Sequence, residues 1–131
     1  MPDLDNGAVG DTPTAPGEFF AGHELGLAAL EKVCDQVRAT GPVEVRVSRS
    51  QVALRRRRGF AYLWLPGQYL EKPAADVVLT IALGRHVQSP RFKEVAHPSA
   101  AVWMHHLEVQ ALSDLDDEVG TWLREAAERA T

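Results

Sequence analysis

At Gly41-Pro42 the spacing of apolar residues changes, and that change limits what the chain can fold into. Before it, Leu27, Leu30, Val33, Cys34 and Val37 recur at steps of three and four, which is the stripe of an amphipathic helix. The spacing predicts a helix from about Glu18 or His23 to Thr40. Gly41 can end it in a left-handed conformation, and Pro42 cannot continue it. After it, Val43, Val45 and Val47 alternate with Glu44, Arg46 and Ser48, the period of a half-buried strand. Further strands are expected over 51–56, 60–65, 77–83 and 102–109, with a turn at 48–50 and loops over 68–75 and 84–101. Ser113 is then placed to cap a last helix, with Leu115, Val119, Trp122, Leu123 and Ala126 as its buried stripe. Asp114, Asp116, Asp117 and Glu118 fall in its first turns, where negative charge suits the helix dipole. Parallel strands need a long crossover, and the links between the first strands are short. The chain therefore reads as an α+β domain. It has an N-terminal helix, a mainly antiparallel four- or five-stranded sheet and a C-terminal helix, with both helices on one face.

The 131 residues suffice for one domain, read as 17–131 behind a flexible tail at 1–16 that is rich in Pro, Gly, Asp and Thr. No apolar run approaches the roughly 20 residues that cross a membrane. The N-terminus has neither the basic nor the apolar region of a secretory signal, so a cytoplasmic protein is expected. Cys34 is the single cysteine, which excludes an intrachain disulfide and a zinc cysteine cluster. It sits on the helix stripe as a small buried hydrophobe. The net charge of −4 argues against a strongly basic nucleic-acid protein. A local basic patch remains, because Arg46, Arg49 and Arg55–Arg58 occur in a stretch without acids.

The stretch "LRRRRGFAYLWLP" (Leu54–Pro66) reads as a hairpin whose register decides what the arginines face. A two-residue turn at Arg58-Gly59 would pair Arg55 with Tyr62 and Ala53 with Trp64. That makes an Arg–aromatic face of the kind that stacks single-stranded nucleic acid, but it puts Arg58 at positive φ. A three-residue loop, Arg57-Arg58-Gly59, fits better, with Gly59 left-handed in a bulge. It pairs Leu54 with Tyr62 and Val52 with Trp64, which sends the aromatics to the core and leaves the arginines at a solvated tip. Arg55, Arg56, Arg57 and Arg58, joined by Arg85, Arg91 and Lys93 if the 85–93 loop lies beside the tip, are the candidate ligand-binding residues. Without that juxtaposition, Phe92 simply anchors the loop to the core.

In "VWMHHLEV" (Val102–Val109) the adjacent His105 and His106 point to opposite sheet faces and cannot share a metal without a bulge. Glu108 shares a face with His106, so His105, His106 and Glu108 form a candidate polar site. His86 and His97 are near in sequence, but no HxH or HExxH spacing supports a metal. No phosphate-binding glycine loop, nucleophile elbow or CxxC is present, so no catalytic residue, cofactor or metal is assigned. Trp103 and Trp122 are expected in core or rim packing.

The segments "GPVEVRVSRSQVALRRRRGFAYLWLPGQYL", "SPRFKEV", "WMHHLEV" and "LDDEVGTWLREA" together resemble a family of small bacterial proteins, common in actinobacteria, known as domain of unknown function 5655. The resemblance runs from about Glu18 to Ala127. It implies a helix, a small sheet and a closing helix. It also implies a module that stands alone or is attached to other domains, and so a binding or accessory role rather than an enzyme. It supplies no catalytic residues to carry over. The expected function is a small module that recognises a protein partner or a small anionic ligand. Nucleic-acid binding through Arg55–Arg58 and an enzyme using His105, His106 and nearby carboxylates are the alternatives. An edge strand invites pairing, so a homodimer is allowed.

Overall fold

A computed structural model describes residues 12–131. The expected tail falls largely on residues 1–11, outside the described residues. A short helix α1 (Pro16–Phe19) precedes α2 (Glu24–Arg38). Of the two expected starts the second holds, with His23 as the cap of α2, because the chain from Glu18 is broken at Gly22, whose φ of 82° a helix cannot hold. Then follow β1 (Glu44–Val47), β2 (Val52–Arg55), β3 (Gly59–Trp64), β4 (Val77–Leu83), β5 (Glu94–Ser99), β6 (Val102–Val109) and α3 (Asp117–Arg129). Among the described residues the sheet is six-stranded and antiparallel throughout, in the order β1-β2-β3-β4-β6-β5.

Strand β5 was expected to be loop. It lies at the sheet edge, carries Pro98 and exposes Glu94 and His97, so it lacks the alternation that marks a strand. The last helix starts later than its sequence suggests. Its cap is Asp116, whose carboxylate accepts the Val119 N–H at 3.2 Å, and not Ser113. Asp114 is occupied just before it, accepting the backbone N–H groups of Gln110 and Ala111.

Two cross-strand rows describe the sheet. Val45, Leu54, Ala61, Ile81, His105 and Val95 are successive partners on the face that meets the helices. Arg46, Ala53, Tyr62, Thr80, His106 and Glu94 are successive partners on the other face, which no helix among the described residues covers. The core lies between the first face and helices α2 and α3. It includes Val33, Val37, Leu54, Leu63, Leu79, Ile81, Leu115 and Leu123, each at most 5% exposed. Cys34 is buried on the α2 stripe. Phe92 and Trp122 pack there as expected, with ring centroids 4.7 Å apart. Trp103 is half-buried and stacks on His97 at 3.9 Å.

The arginine hairpin adopts neither expected register. Val52 pairs with Leu63, Ala53 with Tyr62, Leu54 with Ala61 and Arg55 with Gly59. Phe60 is the extra residue of a bulge, which turns its ring into the core beside Ala61. The loop is thus Arg56–Arg58, closed by the Arg56 N–H on the Arg58 carbonyl at 3.0 Å. Tyr62 and Trp64 lie on the open face and not in the core. Gly59 is not left-handed. A Cβ there would displace the Tyr62 hydroxyl.

Candidate functional site

The open face departs from the usual solvated side of an antiparallel sheet, which is mostly polar. Tyr62 and Trp64 come from β3, Thr80 from β4, and Met104 and His106 from β6. Together they floor a cavity of about 540 Å³. Ser50 and Gln51 of the β1–β2 turn wall one side, Tyr69 another, and Ala96 and Pro98 of β5 a third. Tyr69 follows a 3-10 turn at Pro66–Gln68 that brings it back over Trp64, with centroids 6.1 Å apart.

One hydrogen-bonded line crosses this floor. Trp64 Nε1–H donates to Thr80 Oγ1 at 2.9 Å, and Thr80 Oγ1 lies 2.7 Å from His106 Nδ1. The indole can only donate, and among the described residues Nδ1 is the one acceptor within reach of the buried hydroxyl's proton, so Thr80 donates to Nδ1. His106 is therefore neutral with its proton on Nε2. Burial agrees, since it holds the His106 pKa below the usual histidine range, with Glu94 opposing only in part. Thr80 itself is 3% exposed and serves to hold the line together rather than to meet a substrate.

His105 points the other way, as adjacency on a strand requires. It is fully buried on the core face. Its Nε2 accepts the Val87 N–H at 3.0 Å, so Nδ1 carries the proton toward the Trp103 and Ile81 carbonyls at 3.1 and 3.3 Å. Burial lowers its pKa as well. The four nearby histidines do not converge: His86 lies 6.2 Å from His105, and His97 is on β5 against Trp103. Among the described residues no cluster of His, Cys, Asp and Glu could hold a metal ion. Glu108 shares the open face with His106 but pairs with Lys93 at 2.9 Å.

Both histidines resist protonation when folded, which fixes a pH dependence. The unfolded chain takes up protons below about pH 6.5, and folded His105 and His106 refuse them. Stability is therefore complete above that pH and falls as the pH drops toward the folded values, by up to about 1.4 kcal/mol per pH unit for each histidine. Arg91 and Arg85 hold the Asp116 and Glu125 carboxyls below their usual range, so those groups act only at lower pH. Urea unfolding midpoints should fall between pH 7.5 and 5.5 and flatten in a His105→Gln, His106→Gln double variant. A flat wild-type profile would contradict the assignment.

The predicted cations are scattered. Arg85 makes a two-pronged pair with Glu125 at 2.9 Å, and Arg91 binds Asp116 and Glu118 at the N-terminus of α3. The hairpin tip lies at the other end of that helix, where the Arg57 N–H donates to the Ala130 carbonyl. Arg91 is thus about 20 Å from the tip, one helix length, whereas Arg85 sits at Glu125, about a turn and a half of α3 from Ala130. Arg55 Nε faces Glu44 at 3.9 Å. Arg56 reaches back to Pro42, Thr40 and Thr131, and Arg57 and Arg58 are exposed. Arg55, Arg56 and Arg57 do border a hollow of about 410 Å³, but Glu44 and Glu128 border it too, and the C-terminal ends of α2 and α3 point toward it.

The sequence named His106 and Glu108 but missed Thr80, Trp64 and Tyr69 as their neighbours. A usable signal was Thr80 itself, a lone polar residue inside "VVLTIAL". No helix among the described residues is long and apolar enough to cross a membrane. No curated protein and no solved structure matches the chain. A comparison with known families matches residues 17–129, nearly the whole described domain, so the chain belongs to the family called domain of unknown function (DUF5655).

Proposed function

We propose that the protein is a binding module whose ligand site is the cavity on the open face of its sheet. The observation that carries this reading is the Trp64–Thr80–His106 line. Three neighbouring strands hold polar groups in fixed geometry on a face that no helix among the described residues packs against, at the floor of a cavity within the roughly 300–1,000 Å³ range of small-molecule sites. The arginines are less suited to this role, because most are engaged by carboxylates or backbone carbonyls and two helix C-termini oppose an anion beside them. Exposed Tyr69 and Leu70, at 61% and 55%, favour a second reading in which a protein partner covers the same face.

A thermal-shift screen of small molecules tests the first reading. A compound at 100 times its Kd should add about 2.7 kcal/mol of stability. Binding should be lost in Tyr69→Ala, which removes an exposed side chain with little effect on folding. Hits that survive Tyr69→Ala and leave the Trp64 indole N–H resonance unmoved would sink this site. Pull-down of a partner that Tyr69→Ala and Leu70→Ala release would favour the second reading.

A further inference from the structure

We propose that the open-face cavity takes an uncharged, planar heteroaromatic molecule that stacks among Tyr62, Trp64 and Tyr69 and accepts a hydrogen bond from His106 Nε2–H. This rests on the sheet-face site proposed above and narrows what that site binds.

Charge sets the first limit. Among the described residues, no Lys, Arg, Asp or Glu side chain lines the cavity. Formal charges lie beyond its ends. Lys93, Glu94 and Glu108 border a smaller hollow on the far side of Trp64 and His106, and Arg58 and Arg129 border one past Tyr62 and Met104. An anionic ligand group inside would gain no counter-charge, and a cationic one would meet only the exposed Glu94 beside His106. A neutral ligand needs no counter-charge.

The hydrogen-bonding groups set the second limit. Thr80 consumes Nδ1 of His106, so the proton sits on Nε2, and Nε2 has no partner among the described residues. The Gln51 side-chain amide, at the cavity wall, also lacks one, and it can both donate and accept. They stand three strands apart, so they suit a ring system with hydrogen-bonding groups at two separate places on its rim, an acceptor toward Nε2 and a donor or acceptor toward Gln51.

Ring geometry sets the third. Trp64 meets Tyr69 and His106 edge-to-face, with centroids 6.1 and 6.0 Å away and interplanar angles of 63° and 86°. The Met104 thioether and Pro98 complete an apolar, polarisable surround. A further planar ring extends this packing in the offset and edge-on arrangements that aromatic groups prefer.

Matched pairs of probes test the proposal: the four nucleosides against their 5′-monophosphates, and indole against indole-3-carboxylate. Two-dimensional ¹H–¹⁵N spectra of the full chain would follow the Trp64 indole N–H and the His106 ring nitrogens. The expected result is movement of both signals by at least one neutral probe at millimolar concentration. Its charged twin should bind at least tenfold more weakly, and the free protein should show the Nε2–H tautomer. Tyr69→Ala should weaken the neutral probe at least fivefold. A charged twin that binds equally or better would overturn the ligand class, as would no response to any probe up to 10 mM. The sheet-face site itself would survive either result if a screening hit of another class moved the same two signals.

Discussion

Replacing His105 with leucine should lower the melting temperature by about 10 °C, and replacing it with glutamine should recover a good part of that loss. The ring is fully buried on the core face of β6, and Phe92 lies 4.8 Å away. Leucine keeps the volume and the apolar contacts but leaves the Val87 N–H without the acceptor that now sits 3.0 Å away. It also removes the donor to the Trp103 and Ile81 carbonyls. Each orphaned buried group costs about 1–3 kcal/mol, and the carbonyls keep their other lone pairs, so the total is about 2–4 kcal/mol. For a domain of this size each kcal/mol moves the midpoint by about 3–6 °C. Glutamine carries its amide oxygen at about the reach of Nε2 and can accept from Val87, which separates the hydrogen bond from the packing. Hydrogen exchange gives an independent reading, since the Val87 amide should lose protection in the leucine variant and keep it in the glutamine variant. Melting within 2 °C of wild type for leucine would mean that the 84–93 loop is held by Phe92 alone.

The parts of this fold that were legible in the sequence are those set by local period. The α2 and α3 stripes, the five expected strands and the opposite orientation of His105 and His106 follow from steps of 3.6 or 2 or, for β4, from an unbroken apolar run. The parts that were not legible depend on which large side chain wins the core. The hairpin register turned on Phe60, whose burial beside Ala61 forces a bulge and shifts every later pair. That one residue moved Tyr62 and Trp64 from the expected core to the open face. The site was hidden for the same reason. His106 could be named from its strand, but the line through Thr80 to Trp64 exists only once β3, β4 and β6 are in register. Strand β5 was invisible because an edge strand protected by Pro98 and outward charge has no alternation to detect.

The four consecutive arginines should separate sharply on mutation. Arg56→Ala should cost about 2 kcal/mol, while Arg57→Ala and Arg58→Ala should each change stability by less than about 0.5 kcal/mol. Among the described residues, Arg56 is the one of the run whose guanidinium hydrogen-bonds to both helix ends. Its Nε donates to the Pro42 carbonyl at 3.0 Å, one terminal nitrogen to Thr40 Oγ1 at 2.9 Å and the other to Thr131 Oγ1 at 3.3 Å. Thr40 and Thr131 in turn donate to Val37 and Ala127, inside the last turns of α2 and α3. Arg56 thus places a cation where two helices end and their dipoles are negative, a position worth about 0.3–1 kcal/mol per helix at an exposed site. Gly41 fits the same arrangement, since its φ is 151° and a Cβ there would press on the guanidinium. Arg57 and Arg58 extend into solvent, and the hydrogen bond that docks Arg57 on Ala130 uses its backbone and survives the mutation. Lysine at position 56 should recover little, because an ammonium cannot reach three acceptors in a plane. Urea denaturation of the three alanine variants and Arg56→Lys measures all of this at once. Equal losses at all three positions would make the run a shared electrostatic surface instead of one clamp flanked by two solvated charges. No loss at Arg56 would leave the convergence of the two helix ends without the support the geometry assigns to it.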